Sequence, residues 1–312
     1  MNIIILILGF FVLIKCADLF VENSSNIAKS LKVPSLIIGL TIVALGTSAP
    51  EASVSIIAAI NGNYEVATGN VIGSNICNLL LVLGLSGIFG TLKVRRKIIF
   101  RDYIYLLFSY FILLILISES FLLGNNINIL TKVSGLILLS FLIIYLYFLL
   151  LDTKDNLLKK DNAISFKLNY IFNSIISLAG VVLGGKLVVS SAVNIAHIIG
   201  VNDDIIALTI VAIGTSLPEL ITSIMAAKKG ENDIAIGNVL GSNIFNILFI
   251  LGISSFINPL VIDYNTFIDI IIMVISGLIV FILLLKDKRI TTYKSIIMLI
   301  IYFSYITYLI LR

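Results

Sequence analysis

Glu51 and Glu219 each follow a Gly-Thr-Ser-x-Pro run inside a long apolar stretch, one in each half of a 312-residue chain. An acid near mid-membrane costs at least ~3 kcal/mol, and no lysine or arginine is near either glutamate in sequence. Oxygen atoms surround them. Pro50 has no N–H, so the carbonyl of Gly46 is released, and its ring crowds the backbone at Thr47. Thr47 lies four residues before Glu51 and shares its helical face, with Ala44 and Ser48 one step to the side. A helix broken here presents bare carbonyls, which are tolerated at such depth only where they line a cavity or meet a ligand. Ala212, Thr215, Ser216, Pro218 and Glu219 repeat the arrangement. Asn70, Ser74 and Asn78 recur every fourth residue, as do Asn238, Ser242 and Asn246, so each trio forms one stripe. Four such segments brought together make an all-oxygen cage with two negative charges. Hard cations such as Ca²⁺, which takes about 6–8 oxygens, and Na⁺ want that chemistry. There is no His or Cys cluster for a softer metal. Ser, Thr and Asn also tie helix to helix for about 1 kcal/mol or less, so for them ligation and structure compete; for the glutamates the structural alternative is weaker.

The two sets are copies. Residues 41–51 and 209–219 agree at nine of eleven positions, and 69–78 and 237–246 at eight of ten, both at an offset of 168. Gly69 and Gly73, like Gly237 and Gly241, form Gly-x-x-x-Gly edges that let another helix approach closely.

The elements that must position these residues are membrane helices. The chain is 59% hydrophobic and 12% charged, against about a quarter charged in soluble domains. A span needs ~20 mostly apolar residues, and ten stretches are candidates: roughly 2–22, 35–60, 65–90, 103–118, 129–151, 166–197, 204–227, 233–257, 266–285 and 295–311. The first lacks a basic leader and a small-residue cleavage site, and Lys15 and Asp18 follow its apolar run, so it is expected to be a retained helix. With ten spans, 17 of the 21 lysines and arginines fall in loops on one side, while 61–64, 118–128, 202–204 and 257–265 on the other side hold none. That bias predicts N- and C-termini outside. Five spans per copy is an odd number, so the second copy enters upside down. The expected fold is an all-α membrane protein of ten transmembrane helices in two inverted-topology five-helix repeats, 1–151 and 166–312, joined by a cytoplasmic linker, 152–165. Inverted repeats with a midplane site are a hallmark of secondary transporters.

Other features carry less. The basic residues are spread over several short loops, which excludes a nucleic-acid face. Lys15, Asp18 and Glu22 near the inner end of the first span read as structural, Lys15 pairing with Asp18 or snorkelling, and Lys186 is similar. The outer acids Glu119, Asp203, Asp204 and Asp263 read as solvated loop residues and His197 as incidental. Cys16 and Cys77 read as buried small hydrophobes at unrelated depths.

Gly-Thr-Ser-x-Pro-Glu followed by Gly-Asn-Val-x-Gly-Ser-Asn, once per half, resembles the α-repeats of the calcium/cation antiporter superfamily, most closely its prokaryotic sodium/calcium exchangers. The resemblance covers nearly the whole chain. It implies a ten-helix bundle in the cell membrane, working as a monomer without a cofactor. Spans 2, 3, 7 and 8 would surround the ions, and spans 1 and 6 would slide. It further implies a Ca²⁺ site from Glu51, Glu219 and the backbone carbonyls of Thr47 and Thr215. Sodium sites would draw on Ala44, Ser48, Ser74, Ala212, Ser216 and Ser242, with Asn78 and Asn246 lining a central position. One departure stands out: many relatives, the potassium-dependent branch among them, carry Asp where this chain has Asn246. Two carboxylates balance one Ca²⁺ or two Na⁺, and a third Na⁺ would leave the site positive. The expected function is Na⁺/Ca²⁺ exchange by alternating access, with Ca²⁺/H⁺ exchange through the same glutamates as the alternative. A cation channel fits discrete charged sites less well. An intramembrane hydrolase built on Ser48 or Ser216 lacks a His or Lys base near either serine, so no enzyme is expected.

Overall fold

The computed structural model describes residues 2–122, 128–157, 167–198 and 212–312. In chain order its helices are α1 (Asn2–Ser30), α2 (Ser35–Thr47), α3 (Ala49–Ile60), α4 (Tyr64–Phe89), α5 (Ile98–Ser118), α6 (Lys132–Thr153), α7 (Leu168–Ile198), α8 (Ala212–Thr215), α9 (Leu217–Lys228), α10 (Asn232–Ile257), α11 (Tyr264–Asp287) and α12 (Thr292–Leu311). Among the described residues eight helices are long and apolar enough to cross a membrane, and nine spans result if α2 and α3, bent by 51°, count as one. The seventh expected span, 204–227, begins outside the described residues; α8 and α9 are its described part. Helical turns continue beyond α6 to Leu157, into the expected linker 152–165, and residues 158–166 lie outside the described set.

Burial sorts the helices into a core and a rim. Over its most apolar stretch α10 is 94% buried and α4 83%, whereas α1 is 22% and α12 28%. The glycine edge of α10 explains its tight seat: a Cβ on Gly237 would lie 2.9 Å from the carbonyl of Leu36, and one on Gly241 would lie 2.6 Å from that of Leu40. Only glycine lets α2 come so near. Gly69 and Gly73 on α4 have no such neighbour among the described residues.

α1 lies along α7, and the two run antiparallel. Cβ atoms on Gly9, Gly184 and Gly180 would meet Val188, Leu13 and Cys16 in turn, so one chain rises as the other falls. Large apolar side chains on their outer faces, such as Phe11 and Phe172, are exposed, as expected of a lipid-facing surface.

Two antiparallel ribbons were not legible in the sequence: β1 (Leu92–Lys93) with β4 (Arg289–Ile290), and β2 (Asn128–Leu130) with β3 (Leu260–Ile262). Strands of two or three residues carry no periodicity, and pairing between distant loops alone creates them. Each ribbon joins a loop of one half to a loop of the other.

Candidate ion-binding site

Pro50 and Pro218 place the glutamates. The first helix stops at Thr47, Ser48 takes a non-helical turn (φ −82, ψ 6), and a new helix starts with Pro50 in its first turn. Ser216 adopts the same conformation (φ −87, ψ 6) before Pro218. A proline is tolerated at such a start because the missing N–H is unpaired there anyway. Both glutamates therefore sit in the first turn of a helix, where the dipole favours negative charge. Both are fully buried, and neither forms a salt bridge with a lysine or arginine among the described residues.

The hydrogen bonds around them cross between the halves in matched pairs. Ser48 Oγ donates to Glu219 Oε1 at 2.8 Å, and Ser216 Oγ to Glu51 Oε1 at 3.3 Å. Thr47 Oγ1 donates to Asn238 Oδ1 at 3.0 Å, and Thr215 Oγ1 to Asn70 Oδ1 at 3.4 Å. Ser242 Oγ lies 3.4 Å from both Glu219 Oε1 and the carbonyl of Ala44. Ser48, Ser216, Ser242, Thr47, Thr215 and Ala44 are thus gathered with the two acids.

Ser74, Asn78 and Asn246 are buried, and the helices turn π-helical at both asparagines, over Asn78–Val82 and Asn246–Leu251. Wide turns of this kind are frequent at functional sites because they re-aim side chains. Among the described residues Ser74 Oγ, Glu51 Oε2, Glu219 Oε2 and both amide atoms of Asn78 and Asn246 have no hydrogen-bond partner. Native interiors rarely leave such groups unpaired, and each one calls for a ligand, water or strain to explain it. Ala212 opens α8, and its side chain lies outside the described set.

Asn70 and Asn238 turn out to brace the site. Asn70 Nδ2 donates to the carbonyl of Glu51 and to Ser55 Oγ (3.2 and 2.9 Å), and Asn238 Nδ2 to the carbonyl of Glu219 and to Ser223 Oγ (3.3 and 2.9 Å). Ser55 and Ser223 went unnoticed in the sequence, although they too are 168 apart and each lies four residues after its glutamate. Asn75, Asn243 and Tyr110 were also missed. Asn243 Nδ2 reaches the carbonyl of its own repeat counterpart, Asn75, at 3.2 Å and Tyr110 Oη at 3.1 Å. Cys77 is buried in α4 next to Asn78.

The remaining charges fall elsewhere. Asp18 pairs with Lys229 (2.9 Å) instead of Lys15, which is exposed. Asp263 caps α11 through the N–H groups of Asn265 and Thr266 (3.1 and 3.2 Å). Asp203 and Asp204 lie outside the described residues, and so does the side chain of Glu119.

A bundle of membrane-length apolar helices around two buried, cross-braced carboxylates belongs to the calcium/cation antiporter class. More narrowly, the chain is a member of the sodium/calcium exchanger protein family, whose model matches residues 1–151 and 170–311. It is 32% identical to the sodium/calcium exchanger MaX1 of Methanosarcina acetivorans over 99% of this chain and 98% of that one. It is also 32% identical to the inner membrane protein YrbG of Escherichia coli, over 83% and 81% of the two chains. Among solved structures, the sodium-calcium exchanger NCX_Mj soaked with zero Na⁺ and Ca²⁺ superposes with a TM-score of 0.83 at 33% identity, covering 99% of this chain and 98% of that one. These relatives are exchangers and membrane proteins, and none of them is described as an enzyme.

Proposed function

We propose that the chain exchanges Na⁺ for Ca²⁺ across the cell membrane by alternating access, binding the ions between its two halves. One observation carries the reading: two fully buried carboxylates, each with an oxygen that has no protein partner among the described residues, lie among further buried oxygens that also have none there. Unpaired buried charge costs several kcal/mol or more, and one Ca²⁺ or two Na⁺ would neutralise both groups. Ca²⁺ is bound by Glu51, Glu219 and the carbonyls of Thr47 and Thr215. The Thr47 hydroxyl is engaged with Asn238, which favours the carbonyl as the ligand. Neutral oxygens at Ala44, Ser48, Ser74, Ala212, Ser216 and Ser242 serve Na⁺, and Asn78 and Asn246 line the position between. The name of the relative MaX1 favours sodium as the counter-ion.

The reading includes ten spans in two inverted repeats, 1–151 and 166–312, about the linker 152–165, with both termini outside and a single chain sufficient. The antiparallel α1 and α7 support the inversion, as do the reciprocal bonds between Ser48 and Glu219 and between Ser216 and Glu51. α1 and α7 lie at the rim, so they can slide without unpacking α4 and α10.

Proteoliposomes test it. An outward Na⁺ gradient at clamped pH should drive Ca²⁺ uptake, and a pH gradient without Na⁺ should not. Uptake on the pH gradient alone selects Ca²⁺/H⁺ exchange, and uptake down the Ca²⁺ gradient without a counter-ion selects a channel.

A further inference from the structure

Folding collects basic residues from three distant loops onto one end of the bundle. The β1–β4 ribbon sets Lys93 opposite Arg289. Arg96 follows β1, Lys286 and Lys288 precede β4, and all five side chains are exposed. The C-terminal end of α9 closes the group, for a Cβ on Gly90 would lie 2.9 Å from the carbonyl of Ala227, next to Lys228.

Neighbouring cations are already neutralised. Arg95 pairs with Asp233 at 2.6 Å, Arg101 with Asp102 at 2.8 Å, Lys97 with Asp152, and Lys294 with Asp287. Lys93, Arg96, Lys228, Lys286, Lys288 and Arg289 form no salt bridge among the described residues. Two of them stand over aromatic rings. The Arg96 guanidinium is 5.5 Å from the Phe100 ring centre, and Lys228 Nζ is 4.7 Å from that of Phe89. Both rings are about half exposed, at 47% and 50%. A ring in the acyl boundary with a cation above it fits the headgroup level of a bilayer. The β2–β3 ribbon, by contrast, contains no charged residue.

We propose that the β1–β4 ribbon, with Arg96 and Lys228, is a docking surface for anionic phospholipid headgroups. Orientation in the membrane needs only an excess of cations in the loops on one side. It does not need them gathered, unpaired, into one cluster whose self-repulsion calls for counter-charge. Headgroup phosphates supply that charge at the right depth, and each cation near an anionic surface strengthens binding about fivefold. The inference rests on the chain spanning a membrane and not on which ions it carries.

The chain has no tryptophan, so Phe100→Trp introduces a single reporter. In nanodiscs, brominated phosphatidylglycerol should quench it with a relative association constant at least about fivefold above that of brominated phosphatidylcholine. Combined Lys93→Gln, Lys288→Gln and Arg289→Gln should bring the two lipids to parity, and so should molar salt with those residues intact. Tyr264→Trp, beside the uncharged ribbon, should report parity throughout. Equal quenching of the Phe100→Trp protein, or a preference that survives the triple change, overturns the proposal. Loss of the preference to millimolar glycerol phosphate would assign the cluster to free phosphates and overturn it too. Transport is not read, so the outcome is independent of the exchange reaction.

Discussion

Glu51 and Glu219 are fully buried, each accepts a bond from the serine of the opposite half, and each keeps Oε2 without a protein partner among the described residues. Glutamine at either position keeps the shape and one carbonyl oxygen but removes half the charge available to dehydrate Ca²⁺. Glu51→Gln and Glu219→Gln are each expected to abolish Na⁺-dependent Ca²⁺ uptake in proteoliposomes while the protein still inserts and elutes as a single species. Normal uptake by a well-folded glutamine variant would end the two-glutamate mechanism. Thr47→Ala removes a hydroxyl that donates to Asn238 and leaves the carbonyl in place. A loss of about 1 kcal/mol in stability is expected, seen as a lower Tm with transport retained; abolished uptake would mean that the hydroxyl itself binds the ion. Asn246→Asp adds a third carboxylate to a buried cluster. Clustered carboxylates hold protons more tightly, so Ca²⁺ uptake by this variant should fall off at higher pH than in the parent protein. A superimposable pH profile would move position 246 away from the ions. At this scale the two acids and the prolines that place them were legible, because an acid in an oily stretch has few structural uses, whereas for the small polar residues ligation and structure compete. The bracing role of Asn70, Asn238, Ser55 and Ser223 was not legible, because a side-chain amide looks the same in sequence whether it ligates or braces.

Among the described residues, the ion pairs of α1 all lie in its C-terminal half. Lys229 Nζ lies 2.9 Å from Asp18 Oδ1 and 3.3 Å from Glu22 Oε2, and Lys29 Nζ lies 3.2 Å from Glu231 Oε1. These pairs hold α1 to the turn after α9, where Gly230 takes a positive φ of 72°. The equivalent turn after α3 has Gly62 at 75° between Asn61 and Asn63, and it carries no charge to make such pairs. Partly exposed ion pairs contribute ~0.2–1 kcal/mol each. Combined Lys229→Gln and Glu231→Gln removes all three pairs, ~0.6–3 kcal/mol together, and should therefore raise the population of the state in which α1 has moved by at least about threefold. A single cysteine at Asn26, which lines the groove beside Lys229 and Glu231, in a background lacking Cys16 and Cys77, would read this as faster labelling by a charged thiol reagent. An unchanged rate would mean that the pairs do not restrain α1. The break at Ser48 was readable from Pro50, since a proline cannot continue the hydrogen-bond ladder. The partners of Asp18 and Glu22 lie more than two hundred residues away and were not readable.

For the whole molecule, the decisive question is whether the second copy is inverted. Asn63 lies in the turn after α3 and Asn265 in the first turn of α11, while Thr153 and Asp287 end α6 and α11. Single cysteines at Asn63 and Asn265 are expected to react with an impermeant reagent from outside intact cells, and those at Thr153 and Asp287 only after permeabilisation. Labelling of Asn63 and Thr153 from the same side would break the inverted-repeat architecture.

Repetition, hydropathy and charge bias are properties of the chain itself, so the sequence alone determined the duplication at 168 residues, the membrane class, and the two acids of the candidate site. Those signals are local, or are repeated in the same order, and need no fold to be read. Tertiary structure decided the rest. It crossed the serines to the opposite glutamates, brought Asn243 to Asn75, turned Asn70 and Asn238 into braces, and joined Lys93 to Arg289 in a ribbon. Each of these contacts joins residues far apart in the chain, and the pairing is fixed only when the packed helices bring the two partners within reach of each other.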